Sequence, residues 1–360
     1  MLLVGFLYAC GGGGEEKQRR VINRPSLGQS GPGIKVEVEN KGTVVYGDTI
    51  YMQVSSAKEG EQITGVTVEI VNGNRRVAES TDGNIQIATL KSGGGNLRFK
   101  ITADFASGEK SNRYKNVKIV APEAPGNWDF EVVARYPHSP HAYTQGLLVH
   151  NGFIYEGTGT YGGSKIMKSD LVTGNILKEK HLSADYFGEG ITIFDNKLYQ
   201  LTYKSGKVFV YDLESFERID EFTYHFHTSE GWGLTHNDTS LIASDGSASL
   251  YFIDPSDFSI RNRIEVFDEN GSVLNVNELE YRDGVIYANI YTTARIVAID
   301  AETGMVLDNY TARGIVMQSE TTQDMDVLNG IAINPLNGNL LITGKNWSIV
   351  YEVRPIPSAV

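Results

Sequence analysis

Cysteine is nearly absent from this chain, which has one, Cys10, in 360 residues. The chain beyond Cys10 has no thiol, which excludes an internal disulfide, a thiolate nucleophile and a zinc site with cysteine ligands. Basic residues are also few, with 32 Lys and Arg against 44 Asp and Glu and a net charge of −12. No basic stripe interleaved with aromatic residues occurs, so nucleic acid is not an expected partner. The acidic surplus favours solubility and the approach of cationic groups such as terminal amines.

The apolar segment at the start of the chain, Met1–Ala9, is too short to cross a bilayer as a helix, which needs about 20 residues. It ends in a small residue and Cys10, and four glycines follow. This pattern resembles the end of a bacterial lipoprotein signal, in which the cysteine is acylated. The resemblance implies a signal remnant over residues 1–10, lipidation of Cys10, a flexible tether over 11–33, and a periplasmic or surface-exposed envelope protein. The alternative is a frayed apolar terminus with an incidental cysteine.

Residues 34–121 contain short strands that alternate polar and apolar residues. Examples are Thr49-Ile-Tyr-Met-Gln-Val and Leu97-Arg-Phe-Lys-Ile-Thr-Ala, with Asn-Gly, Asp-Gly and Gly-Gly-Gly turns between such segments. About six or seven strands of this kind predict a small immunoglobulin-like β-sandwich. Nothing in this region carries recognisable chemistry, so we expect it to be a spacer. Ala121–Gly126 is the expected linker to the next domain.

Residues 127–355 contain five similar segments, here called heads, each followed by apolar strands and an acidic turn. The heads are Gln145-Gly-Leu-Leu-Val, Glu189-Gly-Ile-Thr-Ile, Glu230-Gly-Trp-Gly-Leu, Asn277-Glu-Leu-Glu-Tyr and Asn329-Gly-Ile-Ala-Ile. A spacing of about 44 residues, and about 50 at the last step, is typical of β-propeller blades. The sequence therefore predicts an all-β chain in which a five-bladed propeller follows the sandwich, with no helix of useful length in the repeats. The spare strand Phe130–Tyr136 is expected to pair with the last blade and close the ring.

Equivalent positions of propeller blades converge on one central channel, so the polar residues of the heads are expected to meet there. An unpaired buried carboxylate is costly, so several at one axis indicate a functional site. The alternative, for any one of them, is a hydrogen bond to the adjacent blade. His225 and His227 would lie on one face of a strand, but no third ligand is near them in sequence. No metal site is therefore expected.

Motifs spread along the second domain resemble, in order, those of the glutaminyl-peptide cyclotransferases of plant and bacterial type. The motifs are Tyr136-Pro-His-Ser-Pro-His-Ala-Tyr143-Thr-Gln145-Gly-Leu, Tyr155-Glu-Gly-Thr-Gly-Thr-Tyr-Gly, Phe187-Gly-Glu189-Gly-Ile-Thr, Tyr199-Gln-Leu-Thr-Tyr203-Lys, Glu230-Gly-Trp232-Gly-Leu-Thr-His, Asn277-Glu-Leu-Glu-Tyr, Tyr287-Ala-Asn-Ile-Tyr291, and Leu328-Asn-Gly-Ile-Ala with Thr343-Gly-Lys345-Asn-Trp. The resemblance covers residues 129–353 and none of the predicted sandwich. It implies a five-bladed propeller enzyme that is unrelated to the zinc-dependent animal enzymes of the same activity.

The resemblance also implies the reaction, in which an N-terminal glutamine of a peptide or protein closes to pyroglutamate and releases ammonia. The catalytic glutamate of the family falls on Glu189, which would act first as a base and then as an acid. Lys345, Gln145 and Asn277 fall on positions that hold the substrate amide and its developing oxyanion. A second carboxylate, Glu156, is expected near the site without an assigned role.

An aromatic cage around the substrate is the remaining implication of the resemblance. Its residues would be Tyr143, Phe187, Tyr203, Trp232 and Tyr291. The family usually has tryptophan at the positions of Tyr203 and Tyr291, and phenylalanine at that of Tyr143. Tyrosine keeps a flat face but adds a hydroxyl and changes the area, so substrate preference or rate could differ. The carboxylate and the oxyanion donors are all present, so we expect an active enzyme.

We expect a monomer that touches the membrane only through its lipid anchor and needs no cofactor for the chemistry. The acidic heads would also allow a structural calcium in the channel. Two other functions remain open at this point. One is a non-catalytic propeller that binds peptide amino termini. The other is a calcium-dependent lactonase-type propeller, which is disfavoured because such proteins need a cluster of acidic and asparagine ligands and usually have six blades.

Overall fold

The computed structural model describes residues 32–71, 75–318 and 324–358. Cys10, the predicted signal remnant and most of the predicted tether lie outside the described residues. Within the described ranges, no helix is both long enough and apolar enough to cross a membrane.

The first part of the described chain forms two β-sheets that pack on one apolar core. Its elements are β1 (Ile34–Val38), a 3-10 helix (Glu39–Gly42), β2 (Thr43–Val45), β3 (Thr49–Ser56), β4 (Ile63–Ile70), β5 (Arg75–Ser80), β6 (Asn84–Ala88), α1 (Thr89–Ser92), β7 (Gly95–Phe105) and β8 (Lys110–Val120). One sheet has the order β1-β3-β6 and the other β2-β8-β7-β4-β5. Alternate residues of each long strand enter the core, as the period-two pattern predicts.

Two strands of these sheets, β2 and β5, were not predicted from the sequence. β2 has only three residues. β5 reads Arg-Arg-Val-Ala-Glu-Ser, lies at the edge of its sheet and buries none of its residues fully. An exposed edge strand needs no apolar alternation, so its sequence carried no strand signal.

The second part of the chain is a series of antiparallel sheets of four strands. The strands are β9 (Gly126–Pro137), β10 (Thr144–His150), β11 (Phe153–Thr158), β12 (Lys165–Asp170), β13 (Ile176–His181), β14 (Gly188–Phe194), β15 (Lys197–Thr202), β16 (Lys207–Asp212), β17 (Arg218–Thr223), β18 (Leu234–His236), β19 (Leu241–Ser244), β20 (Ser249–Ile253), β21 (Ile260–Glu265), β22 (Phe267–Asp268), β23 (Gly271–Ser272), β24 (Val276–Arg282), β25 (Val285–Ile290), β26 (Arg295–Asp300), β27 (Val306–Thr311), β28 (Leu328–Ile333), β29 (Leu340–Gly344) and β30 (Ile349–Pro357). β10–β13, β14–β17 and β18–β21 form separate sheets, and β24-β25-β26-β27-β9-β30-β29-β28 is continuous.

The first strands of these sheets pack side by side: β10 on β14, β14 on β18, β18 on β24, β24 on β28, and β28 on β10. Glycine permits the close approach. A Cβ on Gly190 would lie 2.5 Å from the Leu234 nitrogen, and one on Gly233 would lie 2.0 Å from the Asn277 oxygen. Sheets arranged with their first strands around one axis are the architecture of a β-propeller.

The fourth head has Glu278 where the others have glycine, and its side chain bridges three strands at the axis. The Leu147 backbone N–H donates to Oε1 at 3.1 Å, and the Ile331 backbone N–H donates to Oε2 at 2.7 Å. Glu278 is buried, and burial raises its pKa well above the ordinary range, with Glu280 adding to the effect. The carboxyl thus joins β24 to β10 and β28.

The predicted closing strand is confirmed. β9 pairs antiparallel with β30, with Tyr136 opposite Val350, and supplies the outermost strand beside β30-β29-β28. β9 also pairs in parallel with β27 through Trp128 and Tyr310, which joins β9 and the last seven strands of the chain into one continuous sheet. The expectation of no helix among the repeats missed one short helix, α2 (Arg313–Gln318), before β28.

The small hairpin β22–β23 contacts the first part of the chain. The Ala121 backbone N–H donates to the Asp268 carbonyl at 3.0 Å, and the Tyr46 and Phe267 rings lie 5.2 Å apart. The Asn96 backbone N–H donates to the Ser272 hydroxyl at 2.6 Å. A cavity of about 170 Å³ lies between the two parts and contains none of the predicted site residues.

Candidate active site

A shared backbone irregularity turns the head side chains toward one end of the ring. The pairing of β10 with β11 shifts register between Thr144 and Gly146, and equivalent shifts occur where β14, β24 and β28 pair with their neighbours. Bulges of this kind re-aim side chains beside functional sites. The side chains at these irregularities are Gln145, Glu189, Asn277 and Asn329.

The third head differs from the prediction. Leu234 pairs with Ala243 as Ile191 pairs with Gln200, so Trp232, and not Glu230, is equivalent to Glu189. Glycine on both sides of Trp232 makes either alignment of the motif equally good from sequence, and only the strand register distinguishes them.

Nine of the ten predicted catalytic and substrate-binding residues line one cavity of about 130 Å³. They are Tyr143, Gln145, Phe187, Glu189, Tyr203, Trp232, Asn277, Tyr291 and Lys345. The four polar members are buried, each with at most 5% of its surface exposed. The five aromatic residues are partly exposed. The cavity therefore has a polar floor and an aromatic wall that faces solvent.

Two charged groups on the floor perturb each other. Burial raises the pKa of Glu189 well above its ordinary value; the Lys345 ammonium opposes this shift and the Glu230 carboxylate adds to it. Burial lowers the pKa of Lys345, and the carboxylates of Glu189 and Asp326 oppose that shift. Opposed shifts of an acid and a base in one cavity are typical of sites that move protons.

The position of Lys345 is set by the turn between β29 and β30. Asn346 takes a φ of 60°, a left-handed conformation that asparagine tolerates better than most residues. The Nζ of Lys345 lies 4.8 Å from the centre of the Tyr143 ring and 5.0 Å from that of Tyr291. Two aromatic faces stabilise the partly desolvated ammonium and aim it into the cavity.

The side-chain amide of Gln145 on the floor is oriented by Asn329, which donates to the Thr144 carbonyl at 3.0 Å and to Gln145 Oε1 at 3.3 Å. With its oxygen engaged, Gln145 has its N–H groups left for a ligand. Asn277 Oδ1 is buried and has no hydrogen-bond partner among the described residues. A buried unpaired amide oxygen is costly, and a substrate N–H in the cavity would satisfy it.

The aromatic wall holds together through edge contacts. The Phe187 ring lies 6.5 Å from that of Tyr143 and 5.6 Å from that of Tyr203. Trp232 meets Tyr291 edge-on at 5.3 Å. Edge-on and tilted packing of this kind leaves ring faces available to a compact ligand.

Glu156 does not line the cavity, contrary to its predicted place in the substrate site. Its carboxylate accepts from the Thr144 hydroxyl at 2.6 Å and contacts His138 Nε2 at 3.1 Å. The other nitrogen of His138 lies 2.7 Å from the Trp347 carbonyl. Burial by itself lowers the pKa of His138, but the charge and hydrogen bond of Glu156 and the Trp347 carbonyl raise it above its ordinary value. Glu156 thus holds Thr144, the neighbour of the floor residue Gln145, without lining the cavity itself.

Two residues of the site region were absent from the predicted set. Asn329 could have been predicted from the repeat, because it occupies the same head position as Glu189. Asp326 accepts a hydrogen bond from the Tyr143 hydroxyl at 3.0 Å. No sequence pattern predicted this contact, because Asp326 lies in an irregular segment far along the chain from Tyr143.

No group of three or more His, Cys, Asp or Glu side chains in the described part of the chain is arranged to hold a metal ion. His225 and His227 lie in the loop after β17 and not on a strand. Glu278, the buried acid at the axis, uses both carboxylate oxygens for backbone N–H groups.

Comparisons with known proteins identify relatives of this chain. The family model described as glutamine cyclotransferase matches residues 102–355. A glutaminyl-peptide cyclotransferase of Arabidopsis thaliana is 34% identical over 231 residues, which are 63% of this chain and 71% of that protein. The crystal structure of Myxococcus xanthus glutaminyl cyclase aligns with a TM-score of 0.59 and 32% identity, over 65% of this chain and 100% of that one.

The fold and the cavity define an all-β propeller enzyme. The chain belongs to the glutamine cyclotransferase family. The family implies peptides with an N-terminal glutamine as substrates.

Proposed function

We propose that this protein cyclises the N-terminal glutamine of peptides or proteins, with Glu189 as the group that moves the proton. The observation that carries the proposal is the burial of Glu189 on a floor shared with Lys345, Gln145 and Asn277 beneath an aromatic wall. The α-amine attacks the side-chain amide carbon of its own residue and forms the lactam C–N bond. The bond from that carbon to the amide nitrogen breaks, and ammonia leaves.

Glu189 takes a proton from the attacking amine and returns one to the leaving nitrogen. An α-amine titrates near pH 8, so a carboxylate of ordinary pKa would be a weak base for it. Burial and Glu230 raise the pKa of Glu189 and bring it closer to that of the amine. The match lowers the cost of moving the proton in either direction.

Lys345, Gln145 and Asn277 stabilise the negative charge that develops on the amide oxygen. Lys345 brings a cation held between two rings, and Gln145 brings N–H groups oriented by Asn329. Donors fixed before the reaction cost no reorganisation when the charge appears. The unpaired Oδ1 of Asn277 accepts an N–H of the substrate.

The aromatic wall favours the folded conformer of the glutamine side chain over extended ones and limits the access of water. A cavity of about 130 Å³ suits one compact side chain and not a whole peptide. Holding the amine close to the amide carbon supplies much of the rate of an intramolecular reaction. The tyrosines at 143, 203 and 291 keep the flat faces that this task needs.

For the architecture, we propose a five-bladed propeller over residues 127–355 and an immunoglobulin-like sandwich spacer over 34–121. The support for five blades is the closed sequence of contacts among β10, β14, β18, β24 and β28, with β9 completing the last sheet. The support for the sandwich is that its two sheets share one apolar core. We propose that the protein acts as a monomer, since one chain supplies every residue of the cavity.

For location, we propose a bacterial envelope lipoprotein, with Cys10 acylated and residues 11–33 as the tether. The support is the apolar segment before Cys10 and the polar, glycine-rich sequence after it. Incorporation of a labelled fatty acid in the expressing cell, and its loss in Cys10→Ser, would test the anchor.

The reaction is tested by mass spectrometry of a Gln-initiated tripeptide incubated with the purified protein. We expect loss of one ammonia, no change in the same peptide with an acetylated amine, and no turnover by Glu189→Gln with the fold retained. Glu214→Gln, an exposed carboxyl of the propeller, is the matched control and should keep wild-type activity. Saturable binding of the peptide without loss of mass would instead establish a binding propeller, and full activity of Glu189→Gln would contradict the assigned role.

A further inference from the structure

Asp326 lies just outside the cavity, beside three of its lining residues. The Tyr143 hydroxyl donates to Asp326 Oδ2 at 3.0 Å. The carboxylate also acts through space on two other lining residues: it opposes the fall that burial causes in the pKa of Lys345, and it adds to the rise that burial causes in the pKa of Tyr291. Asp326 is exposed to solvent, whereas Tyr143 is half-buried in the wall. The carboxylate therefore occupies the outer edge of the site, on the side of Tyr143 and Tyr291.

This exposed carboxylate is held unusually firmly for a surface group. Its backbone N–H donates to the Lys345 carbonyl at 2.9 Å, and its own carbonyl accepts from Trp347 Nε1 at 2.8 Å. Oδ1 accepts from the Val327 backbone N–H at 2.8 Å, while Oδ2 is engaged by Tyr143. A group that is already fixed loses little entropy when it binds a partner.

Among the described residues, no lysine or arginine forms an ion pair with Asp326, and this distinguishes it from the other acid near the wall. Glu230 pairs with Lys204 at 3.2 Å and also accepts from Trp232 Nε1. Lys345, a cation on which Asp326 acts through space, is buried and lies against the Tyr143 and Tyr291 rings. The edge of the site thus presents one fixed negative charge without a cation of its own.

The edge beside Asp326 belongs to the aromatic wall, which is the open side of the cavity for a bound peptide. The α-amine of the substrate has to reach Glu189 on the floor of the cavity. The other floor residues, Gln145, Asn277 and Lys345, are buried, so the peptide chain after the glutamine leaves on the side of the aromatic wall. The side chain of the second residue is the first group to emerge. A cationic side chain there would gain from a carboxylate that is already oriented.

Resting on the function proposed above, we propose that Asp326 makes the enzyme prefer substrates with lysine or arginine immediately after the N-terminal glutamine. An exposed ion pair is a modest contribution, so the preference is one of degree, about three- to fivefold at low ionic strength. Screening by salt reduces it further.

The test compares kcat/KM for Gln-Arg-Ala, Gln-Ala-Ala and Gln-Glu-Ala amides in the full-length protein. We expect the arginine peptide to be preferred to the glutamate peptide, mainly through KM, and this ratio to fall about three- to fivefold in Asp326→Asn. Asp324→Asn removes an exposed carboxylate from the same segment that lacks the contact with Tyr143, and should change the ratio less. Tyr143→Phe keeps the ring but releases Asp326, so the ratio should fall in this variant too.

Salt gives a second measurement that needs no variant, since raising NaCl from about 0.05 to 0.5 M should reduce the wild-type ratio. An unchanged ratio in Asp326→Asn, or a wild-type ratio that does not respond to salt, overturns the inference while the proposed function stands. Preference for the glutamate peptide would overturn it as well and point to Lys204. Failure of all three peptides to lose ammonia would instead refute the proposed function.

Discussion

The indole N–H of Trp232 donates to Oε2 of Glu230 at 3.0 Å. This hydrogen bond joins the residue at the third head position to the acid that the sequence suggested in its place. Glu230 is not on the cavity floor, yet its charge raises the pKa of Glu189 there. A residue outside the cavity thus tunes the proposed base within it.

Replacing Glu230 by glutamine should therefore shift the pH dependence of activity. Glu189 must be ionised to accept a proton from the amine, so kcat/KM rises with pH through its pKa. Removing the negative charge of Glu230 makes this ionisation easier, and the acid limb of the profile should move to lower pH. Glutamine keeps an acceptor for Trp232, and Glu214→Gln is the control. An acid limb that stays in place in Glu230→Gln would show that Glu230 does not tune the base.

Asn329→Ala should impair catalysis through Gln145. The change removes the hydrogen bonds to the Gln145 side chain and to the Thr144 carbonyl. We expect kcat to fall about tenfold, less than the hundredfold or more that loss of an oxyanion donor itself costs. In a Gln145→Ala background the same change should have little further effect on kcat, since the two residues act as one unit. Additive losses in the double variant would contradict a positioning role.

His138→Asn should destabilise the protein in a pH-dependent way. The change leaves the buried Glu156 carboxylate without its cation, and we expect the free energy of unfolding to fall by about 3 kcal/mol at pH 6. Because the folded-state pKa of His138 is raised, its contribution is fully present below about pH 6.5 and is lost as pH rises through the raised pKa. Denaturation at pH 6 and pH 9 measures the difference, which should shrink at the higher pH. A difference that grows with pH would exclude the charged pair.

Glu278→Gln should weaken the centre of the propeller. Its two oxygens accept one backbone N–H each from β10 and β28, and glutamine has only one oxygen to offer. The unpaired donor should cost about 1–3 kcal/mol of unfolding free energy. Chemical denaturation measures this, with the exposed Glu59→Gln as the control. Wild-type stability of Glu278→Gln would show that the bridge contributes nothing.

Removal of metal ions should leave the chemistry intact, because the proposed mechanism moves protons with side chains alone. We expect dialysis against a chelator to leave kcat unchanged. A fall in melting temperature with unchanged kcat would identify the structural calcium that the acidic heads suggested. Loss of kcat that is restored by added metal would refute the mechanism.

Local sequence was enough to predict much of the fold. Alternation over Leu97–Ala103 predicted the face of β7 that enters the core, and the head repeats marked the first strands of the propeller. The all-β propeller class and the closing strand β9 were accessible in this way, and they follow from the period of side chains along a strand and from the repetition of one unit. The nine residues of the cavity were identified instead from motifs that resemble those of the cyclotransferase family.

Other features depended on distances between residues remote in sequence. Strand register shows that Trp232, and not Glu230, occupies the third head position. Glu156 contacts His138 and does not line the cavity. The hydrogen bond between Tyr143 and Asp326 joins residues 183 positions apart in sequence. No local pattern encodes such contacts, because they depend on how the strands pair and pack in the folded chain.

The sequence by itself determined that this chain forms an all-β propeller with polar heads, since strand period and repeat length are properties of neighbouring residues. Only the tertiary structure decided which head residues share the cavity floor and how each is charged. The perturbed pKa values of Glu189 and Lys345 come from burial and from charges on other strands. Burial and through-space charge are set by packing, and packing exists only in the folded ring.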